Sequence, residues 1–360
     1  MDYKISYRKK DKGLQCIISY KDSLGKWKQK SKQGYKTQKE YKPWIEETVK
    51  NLSETIQYIN PDMSGTTVDE LYKAFINHIE LYKEINTVIS VEVAYKHFEK
   101  IKDYKVTDVT ILEVQECVDE MVKKKLASST INTYTSKIRT LFNYAVKPLK
   151  IIKDNSFADI KPLPEDKTKE EIKALTPTEL TDLLGKIKNK KYYIISLIAS
   201  TCGLRIGEIL GLKWSDIDER ELILTINKQW KIIKKKPVVY GFGSVKSKNS
   251  NRQVPVPAST MAELLKYKKE YPINISNRIV AYKNGMGTCT NLKNVYMSIG
   301  YDISVHDLRH TYASRLVANG VDFKTVAELI GDTVQMVINT YSHFTPDMME
   351  NAKKAVNNIF

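Results

Sequence analysis

The chain has 360 residues, 42% of them hydrophobic, and a formal net charge of +16. That length predicts two or three domains with cores of their own, and the charge favours a polyanionic partner, nucleic acid ahead of an acidic membrane surface. No apolar run approaches the roughly 18–20 residues of a bilayer span and the N-terminus has no signal-peptide core, which argues against membrane and secreted classes. Four cysteines (Cys16, Cys117, Cys202, Cys289) are scattered without metal-ligand or disulfide spacing. The expectation is therefore a reduced, cytoplasmic protein with no thiolate zinc site.

Residues 1–50 carry fourteen Lys or Arg against six Asp or Glu, half of the net charge. Alternation over Tyr3–Tyr7 and Leu14–Tyr20, then a turn and a cationic run from Lys26 to Lys32, predicts a three-stranded sheet. Gly34 is expected to end it, and Thr37 to cap a helix holding Tyr41, Trp44 and Ile45. Lysines on one face of such a ribbon, interleaved with aromatics, suit a DNA groove, with Lys26, Lys28 and Lys30 as the contacts.

Pro61 and Gly65 mark a linker. From Thr67 to about Lys147 the pattern is helical. Val68, Leu71, Tyr72, Phe75 and Ile79 recur at three and four residues behind Thr67 as N-cap. A second helix covers about Thr110–Lys124. Another starts at Ser128 or Ser129 and buries Ile131, Tyr134, Ile138, Leu141, Phe142 and Ala145. Its other face, with Asn132, Thr133, Ser136, Lys137 and Arg139, suits phosphates. Residues 160–175 read as a charged, proline-interrupted linker. Thr176, Pro177 and Glu179 then form a helix start. The apolar run Tyr192–Ala199 predicts a buried helix stopping at Cys202–Gly203.

The chemistry-bearing residues follow. Arg205 is expected at the start of the next helix, where a guanidinium beside free N–H groups binds phosphate in fixed geometry. Glu208, one turn on, is placed to hold it. Strands follow over Leu222–Ile226 and Trp230–Ile233. Val245–Pro257, with an Asn- and Ser-rich turn and the lysines Lys246 and Lys248 on its arms, is expected to be a β-hairpin. Three of the five histidines lie between 306 and 343. His306, Arg309 and His310 stand together, and an Arg beside two imidazoles can hold an anion and move protons. Tyr341, thirty-two residues after Arg309, is a candidate nucleophile.

Taken in order and at these spacings, the segments Cys202–Glu208, His306–Ser314 and Asn339–His343 resemble the boxes of the tyrosine recombinase family, in particular its phage and mobile-element integrases. The resemblance spans essentially the whole chain. It implies a multidomain fold, mainly α with small β-sheets. Residues 1–57 would be an arm-type DNA-binding domain of three strands and a helix. Residues 64–158 would be a helical core-site DNA-binding domain, and 174–360 a mixed α+β catalytic domain.

The implied function is site-specific recombination through a 3′-phosphotyrosyl intermediate, without metal or cofactor. Tyr341 would be the nucleophile. Arg205 and Arg309 would bind the phosphate, His306 would help hold it and handle the tyrosine proton, and Lys246 or Lys248 would be the general acid. Glu208 and His310 would support them. Asp332 stands where the family most often has His or Trp. The implied partners are double-stranded attachment-site DNA and a homotetramer on it, with an excisionase and a host DNA-bending protein as accessory candidates. The apolar stripe Met348–Phe360 would close on its own domain or dock on a neighbouring protomer. Two other readings share much of the pattern: a non-catalytic sequence-specific DNA-binding protein, and a type IB topoisomerase using the same chemistry.

Overall fold

The computed structural model describes residues 3–10, 13–21, 27–58, 60–164, 173–245, 248–271, 274–342, 353–354 and 356–357. The chain forms two compact units, Met1–Asp166 and Lys167–Phe360.

The first unit opens with an antiparallel sheet of β1 (Tyr3–Lys10), β2 (Gly13–Lys21) and β3 (Trp27–Tyr35), in that order. Helix α1 (Lys42–Tyr58) follows. Gly34, at φ +125°, lies inside β3 rather than ending it. Thr37 does not cap a helix. Its hydroxyl donates to Glu40 Oε1, and a 3-10 turn at Lys39–Tyr41 leads into α1.

Register decides which face the lysines share. Tyr7 pairs with Cys16, and Lys32, Lys30 and Lys28 lie opposite Cys16, Ile18 and Tyr20. Paired residues project to one side. That side meets Tyr41, whose ring contacts Tyr7 and Tyr35. Lys28 and Lys30 therefore share the face that packs on the helical segment, at an edge strand. The opposite face carries Lys4, Arg8, Gln15, Ser19, Lys21, Trp27, Gln29 and Ser31, with side-chain hydrogen bonds Gln15–Ser31 and Gln29–Ser19. Lys26 lies outside the described residues.

The rest of the unit is helical: α2 (Val68–Glu80), α3 (Ile85–Tyr95), α4 (Ile111–Lys123) and α5 (Ser128–Val146). Thr67 and Thr110 form capping boxes with Glu70 and Glu113, each satisfying otherwise unpaired amides at a helix start. Ile131, Ile138, Leu141, Phe142 and Ala145 of α5 are buried, as their spacing predicts. On the polar face of α5, Arg139 and Asn132 bond to the segment that follows the helix. Arg139 donates from Nε to Phe157 O (2.9 Å) and from Nη2 to Ile160 O (2.8 Å). Asn132 exchanges two hydrogen bonds with Leu163. These groups strap the segment after α5 onto the helix, with two of the three Arg139 guanidinium nitrogens bonded to carbonyls. Lys137 is half-buried on the same helix.

The second unit begins with α6 (Pro177–Lys186), whose Thr176–Glu179 capping box and first-turn proline match the sequence signature. Helix α7 (Lys190–Cys202) is apolar nearly all round and correspondingly buried. Then come α8 (Ile206–Gly211), β4 (Ile217–Asp218), β5 (Ile223–Ile226), β6 (Lys228–Lys234), β7 (Val239–Ser244), β8 (Arg252–Pro255), α9 (Ala258–Glu270), α10 (Gly285–Ser298), α11 (Val305–Ala318), α12 (Phe323–Ile330) and α13 (Val334–Tyr341). The sheets are β4–β5–β8 and β6–β7.

Val245–Pro257 is not a hairpin. The hairpin is β6–β7, and residues 245–251 connect it to β8, which pairs with β5. The alternation at Arg252 and Val254 is real, but it serves a strand that pairs backward to Leu224 and Ile226. A main core gathers α7 with α9–α11, and a smaller one joins Ala313, Val317, Val326, Ala327, Ile330, Val337 and Tyr341.

Candidate active site

The site forms where α7 stops. Gly203 closes α7 in the left-handed conformation (φ +68°), and a Cβ there would lie 2.4 Å from the Tyr312 ring. Only glycine meets both demands without strain. The turn puts Arg205 at the N-cap of α8, where its own N–H donates to Glu208 Oε2 (3.0 Å). Arg205 Nη1 donates to Glu208 Oε1 (3.2 Å). The pair is no exposed surface ion pair, because Glu208 is 3% exposed.

Glu208 is held from its other side by Arg252, which was not singled out from sequence. Arg252 Nη2 and Nη1 donate to the two carboxylate oxygens at 2.9 and 3.2 Å. Its Nε donates to Leu329 O (2.7 Å) and Nη1 to Ser250 O (3.1 Å). Burial alone would raise the Glu208 carboxyl, but Arg252 and then Arg205 outweigh it and hold it below the ordinary carboxylate range. A fork-to-fork pair of this kind fixes geometry as well as charge. Gly331 ends α12 at φ +65° with the Arg252 guanidinium 2.7 Å from where a Cβ would sit, so α12 and β8 meet through this arginine.

Arg309, on α11, is 2% exposed. Its Nη1 donates to Gly203 O (2.8 Å) and its Nη2 to Asp332 Oδ2 (3.2 Å). Arg205 Nη2 donates to the same Asp332 oxygen at 2.9 Å. Two guanidinium groups from different helices thus converge on one anionic oxygen. Burial and the Arg205 charge push Arg309 down to about 10, which still leaves it cationic at neutral pH.

Tyr341 is the last residue of α13 and its ring belongs to the small core, so its position is set by packing. Its hydroxyl lies 2.6 Å from His310 Nδ1. Burial pushes the phenol up to about 12, against the pull of Arg309 and Arg205. His306 stands one turn before His310, ring centroids 4.5 Å apart and nearly edge-on. Lys246, the Lys248 side chain and His343 lie outside the described residues, as does most of the 348–360 stripe.

Residues 173–348 match the Phage integrase family, 5–52 an Arm DNA-binding domain and 67–163 a Phage integrase SAM-like domain. The chain belongs to the phage integrase family of tyrosine recombinases. A tyrosine recombinase XerC-like protein of Caldanaerobacter subterraneus subsp. tengcongensis is 26% identical, covering 94% of both chains. The ICEBs1 integrase of Bacillus subtilis is also 26% identical, over 69% of this chain and 71% of its own. Among solved structures, the Tn1549 transposon integrase in complex with transposon right end DNA overlays with a TM-score of 0.68 at 21% identity. That match covers 81% of this chain and all of the other. A lambda integrase dimer bound to a COC′ core site gives 0.59 at 16% identity, covering 93% and 94%. These overlays show a shared fold. The family match makes the recombinase a site-specific DNA-recombining enzyme, and it does not favour the binding-module and topoisomerase readings. No helix among the described residues is long and apolar enough to cross a membrane.

The two imidazoles give the recombinase a pH signature. Burial, His310 and the Arg309 charge push His306 down to about 4, and burial lowers His310 as well. His306 keeps exposed surface, so solvent softens the effect. The unfolded chain takes up these protons near pH 6.5 while the folded one resists them. Their contribution is full above that value and is lost as pH falls toward about 4. The melting temperature should therefore already fall between about pH 6.5 and 4.5, before most carboxylates titrate. A His306→Gln/His310→Gln variant should be flatter there, and equal slopes for the two proteins would rule this assignment out.

Proposed function

We propose that Tyr341 attacks a DNA phosphodiester at an attachment site, forming a 3′-phosphotyrosyl bond and releasing a 5′-hydroxyl. The observation that carries this reading is the convergence of Arg205 and Arg309 on one anionic oxygen, beside a tyrosine hydroxyl that feels both charges. A non-bridging phosphate oxygen in the position of Asp332 Oδ2 would receive the same two bonds, and preorganised donors of this kind stabilise the charge of the transition state. On this reading the Asp332 carboxylate holds the two arginines ready and yields to the phosphate, a different task from that of a hydrogen-bond donor. His306, exposed at the edge of the cluster, assists in binding the phosphate. Lys246 or Lys248 supplies the proton to the leaving 5′-oxygen. Transesterification conserves the phosphodiester energy in the covalent intermediate, so neither ATP nor a metal is called for.

Residues 174–360 would be the catalytic domain, 64–158 the core-site domain and 1–57 the arm-type domain. The register of the arm sheet supports DNA contact through its open face, with Lys4, Arg8 and Gln29, ahead of Lys28 and Lys30. The partner would be double-stranded attachment-site DNA held by a homotetramer in the cytoplasm. An excisionase and a host DNA-bending protein would set direction.

The test is covalent trapping. DNA flanking the gene, nicked beside the cleavage position, is incubated with wild type and with Tyr341→Phe. A denaturation-resistant adduct is expected with wild type alone. Equal adduct from both proteins would remove Tyr341 from the role. Relaxation of a supercoiled plasmid lacking any attachment site would favour topoisomerase chemistry.

A further inference from the structure

The buried phenol of Tyr341 keeps its proton at rest, so cleavage requires a group to take it. Among the described residues, the group that meets the hydroxyl is His310, with Nδ1 2.6 Å from Oη. Asp332 is engaged by two guanidinium groups. The contact is built into the packing. His310 is fixed on α11, and Tyr341 is anchored by the core that α11 shares with α12 and α13. A reach of 2.6 Å is what proton transfer needs without rearrangement. Burial lowers His310, Asp307 partly opposing and Arg309 adding, which favours a neutral ring with a free lone pair near pH 7.

We propose that His310 is the general base of strand cleavage, with Nδ1 taking the proton of Tyr341 Oη as Oη bonds to phosphorus. In that step Oη–H and the P–O5′ bond break while N–H and Oη–P form. The departing 5′-oxygen takes its proton from the lysine of the 246–248 segment. Rejoining reverses both transfers: the attacking 5′-hydroxyl gives its proton to the lysine, and His310 returns one to the leaving tyrosine. His306, stacked edge-on against His310, is left to the phosphate. The inference rests on Tyr341 being the nucleophile.

The groups facing this pair are His306, Asp307 and Arg309 on α11, Arg205 at the start of α8, and Asp332. The experiment measures single-turnover cleavage of nicked substrate by wild type, His310→Ala, His310→Gln and His306→Ala, from about pH 6 to 9. Each is made with Tyr341 and with 3-fluorotyrosine, a more acidic phenol, at that position. His310→Ala and His310→Gln should cleave on the order of 10²-fold more slowly while binding the substrate as wild type does. Their rates should climb with pH, and fluorotyrosine should recover at least about tenfold. A purely structural role for His310 would show no such recovery.

Cleavage by His310→Ala within about threefold of wild type would overturn the proposal, as would fluorotyrosine rescue of His306→Ala in place of the His310 variants. Should both His310 variants unfold, the otherwise unmutated chain decides. A rate set by His310 levels off above its titration and is little changed by fluorination, whereas a rate that follows phenol ionisation to high pH overturns it. Failure of wild type to form any adduct would instead sink the nucleophile assignment, which separates the two claims.

Discussion

Arg309→Ala should lower strand cleavage by about 10²–10³-fold or more while leaving much of the DNA affinity in place. Affinity for a duplex comes from many phosphate contacts, and this guanidinium is one buried group among 58 Lys and Arg residues. Its position is over-determined: one nitrogen is tied to the carbonyl of the Gly203 turn and the other to Asp332. Removing it leaves Arg205 alone against the developing charge. Arg309→Lys is the sharper variant, since it keeps the charge but presents a point donor that cannot span both partners. We expect Lys to recover little of the rate. Single-turnover cleavage and a salt titration of binding separate the effects. A Lys variant with near-wild-type cleavage would mean that charge alone matters and the fork geometry does not.

Glu208→Ala should destabilise the catalytic unit by about 3–5 kcal/mol, because it strands the Arg252 guanidinium in the interior without its counter-charge. For a unit of this size the melting temperature should drop on the order of 10 °C. Cleavage should fall as well, since the carboxylate that orients Arg205 is the one that pairs with Arg252. Adding Arg252→Met tests the physical cause. Replacing both members of a buried pair by apolar groups is often neutral, so the double variant should regain most of the lost stability. It should not regain cleavage, because Arg205 still lacks its support. Recovery of both together would show that Glu208 acts on the rate only through stability.

Much of the site was legible in one dimension because its parts sit at punctuation. Arg205 follows a glycine that must end α7, and Thr67, Thr110 and Thr176 announce helix starts through local hydrogen bonds to a glutamate three residues on. Such signals depend on neighbours within one turn. Arg252 was missed for the opposite reason: its partners, Glu208 and Leu329, lie 44 and 77 residues away. Strand alternation marks it only as an inward position, where an arginine looks like a misfit until its carboxylate is found. The basic stretch before it was misread as a hairpin because β8 pairs with β5 and β6 with β7, a choice between strands that alternation cannot make. The same holds for Arg139 and for the lysines of β3. Their charge is plain in the sequence, but what each faces depends on register and on which segment folds over it.

Composition and the helix caps pointed by themselves to a polyanionic partner and to where the helices start, and the resemblance of the segments around Arg205, His306, Arg309 and Tyr341 to the tyrosine recombinase boxes pointed to the chemistry. Those features follow from side-chain chemistry and short-range backbone geometry. Only the tertiary structure decided that Asp332 bridges both arginines, that Arg252 holds Glu208, and that His310 rather than His306 meets the tyrosine hydroxyl. Each of these needs two or three elements brought within about 3 Å, the range where hydrogen bonds act. Packing of α7, α8, α11, α12 and α13 around two cores, not any local preference, sets those distances.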